Sequence, residues 1–350
     1  MNLVSTRYAF TSAYLKGEEA RGIISDHLDG LLQRPKTIPD ALEIIRDTDI
    51  GEYLLESVPG DLNTLDDTDE SLWRYLGECV NRLLRFKLPS DMTEMLDVYM
   101  KKYDILNINI ALRGVLMEKT APMVPVGAIH DQGYLEELSN AKSLDEIADV
   151  LIKVNLSDYA SIVKNIKEKD SRSTFEGEFR LDSLYYATVL GALKKMDDGS
   201  VLTKALGIMI DLSNIQVIFR VALGEKSSAI GEFVLEGGHM LPGHTIKELL
   251  SLKISEITGR LEHTEYHSVA QEVYKTYEKE GAVTVVDKVV EKYKFRLLSG
   301  LLSPRALSPC NLLWYLFLKE LEIRNVRLIF KTLLDGMPSS EIRDYLVTVS

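Results

Sequence analysis

The chain is 350 residues long, 45% apolar and 27% charged, a balance ordinary for a folded protein and too apolar for disorder to dominate. Its net charge is −12, from 41 basic and 53 acidic side chains, so it lacks the basic footprint that nucleic-acid binding requires. Its two cysteines, Cys79 and Cys310, have no CxxC spacing and argue against a disulfide framework.

In chain order, residues 1–10 hold no apolar stretch of signal-peptide length. The segment Thr37-Ile-Pro-Asp-Ala-Leu-Glu-Ile-Ile45, after Leu32, is the first copy of a short element that recurs along the chain. Pro89 and Ser90 open a long helix, with Ser90 as its cap, and Met92, Leu96, Tyr99, Tyr103, Leu106, Ile110 and Met117 form one face. A second short element spans 143–151, and Asp198-Gly199-Ser200 opens a second long helix. A third short element lies at 253–261. The run 283–286 is the most strand-like in the chain, but it reads better as the start of a helix through Val289 and Val290. Pro309 introduces the last long helix, which Gly336 and Pro338 end. Its apolar run 312–318 stops at Lys319 and Glu320, far short of the ~20 residues of a membrane helix. The expectation is an all-α chain with no direct membrane span, soluble or peripheral through a partner.

The long helices repeat one pattern: Asp104-Ile-Leu-Asn-Ile-Asn-Ile-Ala-Leu-Arg113, Asp211-Leu-Ser-Asn-Ile-Gln-Val-Ile-Phe-Arg220 and Glu322-Ile-Arg-Asn-Val-Arg-Leu-Ile-Phe-Lys331. The acids recur at offsets of 107 and 111, and the short elements, aligned at Ile38, Leu144 and Ile254, recur at 106 and 110. Each short element precedes its acid by 66, 67 or 68 positions. Two unrelated motifs on one period imply three similar helical modules, 1–125, 126–235 and 236–350. Pro- and Gly-rich stretches lie at 121–127, 236–243 and 302–309, and the two that follow an acid–Asn helix read as connections between modules. The copies are out of phase with the termini, so each end is expected to hold part of an incomplete module, and the two parts to complete one another.

Nine helical steps of about 100° place Asp104 and Arg113 on opposite sides, so acid and base cannot pair along one helix. Asn107 sits four after Tyr103, at the edge of the apolar stripe, where a buried amide must be hydrogen-bonded. The set Asp104, Asn107, Arg113, Asp211, Asn214, Arg220, Glu322, Asn325 and Lys331 is therefore read as structural, fixing how helices dock, rather than catalytic.

Nothing else announces chemistry. Gly224-Glu-Lys-Ser-Ser228 lacks the leading Gly of a phosphate loop, and no GxGxxG or GxSxG occurs. His263 and His267 stand at i and i+4 on an expected helix, but Thr264 replaces the Glu of HExxH and no third ligand is marked. His239 and His244 enter only if the fold brings them near. Asp66-Asp67 and Asp197-Asp198 read as helix starts or solvated turns. No catalytic residue, cofactor or metal site is assigned.

At these residues the chain resembles a known family, the C subunits of the archaeal A-type (A/V-type) ATP synthases, themselves related to the d subunit of vacuolar proton pumps. The resemblance rests on 103–114, 210–220, 319–327, Glu341-Ile-Arg-Asp-Tyr-Leu346, the opening Tyr8-Ala-Phe with Arg21, and the Gly turns at Val126-Gly127 and Glu236-Gly-Gly238. The third connection, 302–309, departs from it in lacking Gly-Gly. The resemblance implies an all-helical, funnel-shaped protein of three similar domains in pseudo-threefold arrangement. It further implies a non-catalytic central-stalk rotor part on the cytoplasmic face of the membrane. Its partners would be the D and F subunits of the central shaft and the membrane proteolipid ring, with no nucleic acid, in a complex coupling H⁺ or Na⁺ transport to ATP synthesis or hydrolysis. The alternatives are a helical scaffold of another cytosolic complex, and a metal-dependent hydrolase using His263 and His267.

Overall fold

The computed structural model describes residues 6–33, 35–57, 62–166, 171–224 and 234–348. Among them every regular element is helical and no strand occurs. In chain order these are α1 (Ala9–Ala20), α2 (Ser25–Gln33), α3 (Ile38–Ile44), α4 (Asp49–Ser57), α5 (Leu65–Leu84), α6 (Ser90–Met117), α7 (Ala128–Asp131), α8 (Leu135–Ser139), α9 (Leu144–Lys153), α10 (Ser157–Lys164), α11 (Ser171–Leu193), α12 (Gly199–Ala222), α13 (Gly243–Leu249), α14 (Ile254–Arg260), α15 (His267–Glu280), α16 (Val285–Leu302) and α17 (Pro309–Leu334), followed by a 3₁₀ helix, Ser339–Tyr345. The chain divides into two compact units, Met1–Thr174 with Arg305–Ser350, and Phe175–Pro304.

The three short repeated elements start by one device, an acid three residues into the helix that reaches back to the entering backbone. Asp40 Oδ2 accepts from the N–H groups of Lys36 and Thr37, both at 3.1 Å, while Thr37 Oγ1 caps Asp40. Glu146 Oε2 accepts from Lys142 N at 2.8 Å and Ser143 caps Glu146. Glu256 Oε2 accepts from Lys253 N at 2.8 Å. These bonds satisfy donors that a helix start otherwise leaves open. Ser90 is the first residue of α6 rather than its cap: Pro89 holds that position and offers no capping side chain. Pro309 is likewise inside α17, where its missing N–H costs nothing, and Ser308 is the cap, accepting from Cys310 N at 3.2 Å.

In the first unit α17 is the central helix. It packs on α1, α3, α5, α6 and the 3₁₀ helix, and the 3₁₀ helix also lies on α2. Elements from both ends of the chain therefore share one core, in which Trp314, Tyr315, Tyr8, Tyr75 and Tyr99 are the largest enclosed side chains. A helix apolar on nearly every side, as residues 312–317 are, is one surrounded by neighbours. In the same unit α8 and α9 pack on α6, and α10 pairs with α9.

In the second unit α12 and α16 lie side by side, with α15 on α16, α14 on α15 and α13 on α12. Their core joins Ile208, Leu212, Ile215 and Phe219 of α12 to Leu241, Ile246, Ile257, Tyr266, Val273 and Val289. Gly207 lets the loop before α13 approach α12, since a Cβ there would lie 2.9 Å from His239 N. Of the described helices α12 alone is long and apolar enough to cross a membrane, with mean hydropathy 1.5 over its best window. Lys204, Asp211 and Arg220 interrupt its apolar sequence. It is nonetheless a core helix, with 61% of that window buried.

Candidate functional site: three polar clasps and a buried charge network

Each Asn of the repeated pattern grips a backbone residue that follows its helix. In α6, Asn107 Oδ1 accepts from Val124 N at 2.7 Å and its Nδ2 donates to Val124 O at 2.9 Å. In α12, Asn214 does the same to Leu235, at 3.0 and 2.9 Å. In α17, Asn325 does the same to Val347, at 3.3 and 2.8 Å. A primary amide carries both a donor and an acceptor, so one side chain satisfies both polar groups of one residue, as a neighbouring strand would.

In the first two copies the acid one turn earlier holds the next few residues. Asp104 accepts from Ala128 N at 3.1 Å and Ile129 N at 2.9 Å, capping the turn at α7. Asp211 accepts from Met240 N and from the Tyr266 hydroxyl, both at 2.7 Å. Ile129 and Met240 each stand five residues beyond the residue held by Asn. Glu322 accepts from Ile23 N at 3.1 Å, so the third clasp draws its two segments from opposite ends of the chain. A glycine lies against each carboxyl: a Cβ on Gly127 would sit 2.6 Å from Asp104 Oδ1, and one on Gly238 or Gly22 would overlap Asp211 or Glu322. Only Gly admits so close an approach.

Burial pushes the Asp104 carboxyl up to about 6 against its two N–H partners. It pushes Asp211 up as well, against Met240 N and Tyr266. The bases nine positions on differ in exposure. Arg113 and Lys331 are exposed, whereas Arg220 Nη2 binds Asp287 Oδ2 at 2.6 Å beside the Gln216 amide, which holds the other oxygen.

Around the third clasp lies a buried charge network that the repeat pattern does not announce. Lys319, 1% exposed, reaches Asp49 Oδ2 at 3.3 Å, Tyr75 Oη at 2.9 Å and Glu322 Oε2 at 3.1 Å. Asp49 also takes both arms of Arg82, at 2.7 and 2.6 Å, and the Tyr75 hydroxyl at 2.7 Å. Arg82 extends to Glu18 at 3.5 Å. Burial opposes the Asp49 charge, but the Arg82 fork, Lys319 and Tyr75 outweigh it and hold the carboxyl well below the usual range. Burial also opposes the Lys319 charge, yet Glu322 and Asp49 hold it above the ordinary lysine value. The signal available in sequence was the lysine itself, set in an apolar run between Leu318 and Leu321.

The other sequence candidates are not brought together. His263 lies in the turn between α14 and α15 and His267 opens α15, so the two are not on one helix and the i, i+4 metal geometry is absent. Among the described residues no three His, Cys, Asp or Glu side chains converge as a metal site would require. Asp67 caps α5 through Thr64, and Asp198 precedes α12 in the left-handed region. Residues 225–228 of the Gly224–Ser228 motif lie outside the described residues.

Curated relatives match this chain along most of its length. It is 26% identical over 356 residues to the A-type ATP synthase C subunit of Methanocaldococcus jannaschii, covering 98% of this chain and 86% of the relative. It is 24% identical to the protein of that name in Methanobrevibacter smithii (87% and 82% covered). To that of Pyrococcus abyssi it is 23% identical (97% and 90%). The family model described as "ATP synthase (C/AC39) subunit" matches residues 12–345, from α1 to the 3₁₀ helix, and the chain belongs to that family.

Proposed function

We propose that this chain is the C subunit of an A-type ATP synthase and acts as a non-catalytic adaptor of its rotor. It would couple a central shaft, made of the D and F subunits, to the ring of membrane proteolipids. Family membership over nearly the whole chain supports such a complex by analogy with the relatives' names. The observation that carries the adaptor reading is the threefold use of the clasp. The acid and amide groups that could do chemistry are spent on backbone N–H and C=O groups. What they provide is rigidity, and torque transfer calls for packed helices whose connections do not slip.

On this reading the chain comprises three modules, 1–125, 126–235 and 236–350, of which the last is completed by the N-terminal residues. The set Asp104, Asn107, Asp211, Asn214, Glu322 and Asn325 fastens each module's helix to the backbone segments packed against it. The protein would sit peripherally on the cytoplasmic face, bound through its partners. The complex would carry an ion coupled to ATP synthesis or hydrolysis. The test is co-purification from detergent-solubilised membranes with a tagged chain. Shaft and proteolipid proteins should be recovered in fixed proportion, and recovery of neither would refute the assignment.

A further inference from the structure

The third clasp differs from the other two in one physical respect. In the first, five residues of continuous chain run from Val124, held by Asn107, to Ile129, held by Asp104. In the second, five residues join Leu235, held by Asn214, to Met240, held by Asp211. A covalent tether keeps each held segment at high local concentration, so two weak grips suffice. In the third, Val347 and Ile23 come from opposite ends of the chain, and no such tether joins them.

The third clasp is also the one wired to a buried ion network. Three positions before the acid stands half-buried Lys101 in the first copy and Ile208 in the second, but enclosed Lys319 in the third. Lys319 bonds the clasp acid Glu322 and also Asp49 at the start of α4 and Tyr75 in α5. Asp49 carries the chain on through Arg82 to Glu18 of α1. Asp49 N in turn donates to Arg21 O at 2.9 Å, beside Gly22 and Ile23. Trp314 of α17 reaches Glu19 at 3.4 Å, and the Ser12 hydroxyl bonds Ala306 O at 2.5 Å. Every member of the network therefore lies on the N-terminal elements, on α5 or on α17.

The geometry points to a lock: the Glu18–Arg82–Asp49–Lys319–Glu322 network replaces the missing tether of the split repeat. It holds the N-terminal segment around Ile23 and the C-terminal segment around Val347 on α17 as one unit that opens and closes together. The other two clasps need no such network because the chain itself supplies the connection. This inference rests on the reading of the three clasps as equivalents. It does not require that the chain bind a shaft or a ring.

Native-state amide exchange on the isolated full chain tests it. The variant is Lys319→Met with Glu322→Gln, which removes one charge of each sign and leaves an amide oxygen for Ile23 N. The Ile23 and Val347 amides should exchange at least ten-fold faster than in the natural chain. Those of Val124, Ile129, Leu235 and Met240 should stay within about two-fold. No change at Ile23 and Val347, or equal acceleration at all six, would overturn the lock. Should that variant not fold, the natural chain in sub-denaturing guanidinium decides the matter. Ile23 and Val347 should share one opening with a common denaturant dependence, and separate openings overturn the proposal. Because both measurements use the chain alone, their failure is distinct from failure of the adaptor reading, which co-purification judges.

Discussion

Replacing Asn107 by Ala is the sharpest perturbation of the clasp. Asn107 is fully buried and Val124, which it holds, is 4% exposed. The substitution removes a hydrogen bond to Val124 N of 2.7 Å and one from the amide to Val124 O of 2.9 Å. Neither backbone group gains a route to water. Leaving a buried donor or acceptor unsatisfied costs about 1–3 kcal/mol each, so the pair should cost about 3 kcal/mol after partial relaxation. For a cooperative unit of this size that corresponds to a fall in Tm of roughly 6–12 °C. Thermal and urea unfolding followed by circular dichroism measure it, and exchange at Val124 N localises it. Asn107→Asp separates hydrogen bonding from packing. It keeps the shape and the acceptor for Val124 N but loses the donor at neutral pH, and a buried carboxylate left facing Val124 O has its pKa raised. Its stability should recover on acidification, when the protonated acid can again donate to Val124 O. A normal Tm for Asn107→Ala together with lost shaft binding would refute the reasoning, because Asn107 would then be a contact residue and not a fastener.

Further outcomes follow from the same geometry. Gly127 and Gly133 both have positive φ, +101° and +81°, but only Gly127 lies against a carboxyl. Ala at 133 should cost about 1–2 kcal/mol from strain alone. Ala at 127 should cost more and also speed exchange at Ile129, and equal costs in urea titration would contradict the clasp. The folded-state pKa of Asp49 is depressed, so its contribution is present above the ordinary carboxylate range, near pH 4, and is lost as pH falls through the folded value. Asp49→Asn should therefore be less stable than the natural chain at pH 7, with the difference closing in strong acid. For Asp104 the sign reverses. Its folded pKa, raised to about 6, lies above its unfolded value, so its contribution is lost as pH rises through about 6. Asp104→Asn should flatten that decline in a pH series of urea midpoints.

The helical class was legible because the evidence for it is local. A 3.6-residue apolar face through Met92, Leu96, Tyr99 and Tyr103 and prolines at 89 and 309 each act within a few residues. Repeat spacing marked Asp104, Asn107, Asp211, Asn214, Glu322 and Asn325, since a device used three times leaves the same residues at the same intervals. Spacing also showed that acid and base could not pair. It could not say what the asparagines held, because Val124, Leu235 and Val347 contribute backbone, and backbone has no letter. The i, i+4 histidines failed for the complementary reason: a spacing has meaning only on a continuous helix, and the chain turns at 261–266.

The sequence by itself determined the helices, their repetition and the family, because those depend on short-range pattern. The tertiary structure alone decided which distant segments meet. Ile23 finds Glu322, and Asp49 finds Lys319, only because α17 is buried among the N-terminal helices. A buried charge must be neutralised by whatever the fold brings within a few ångströms, and distance along the chain does not encode that neighbour.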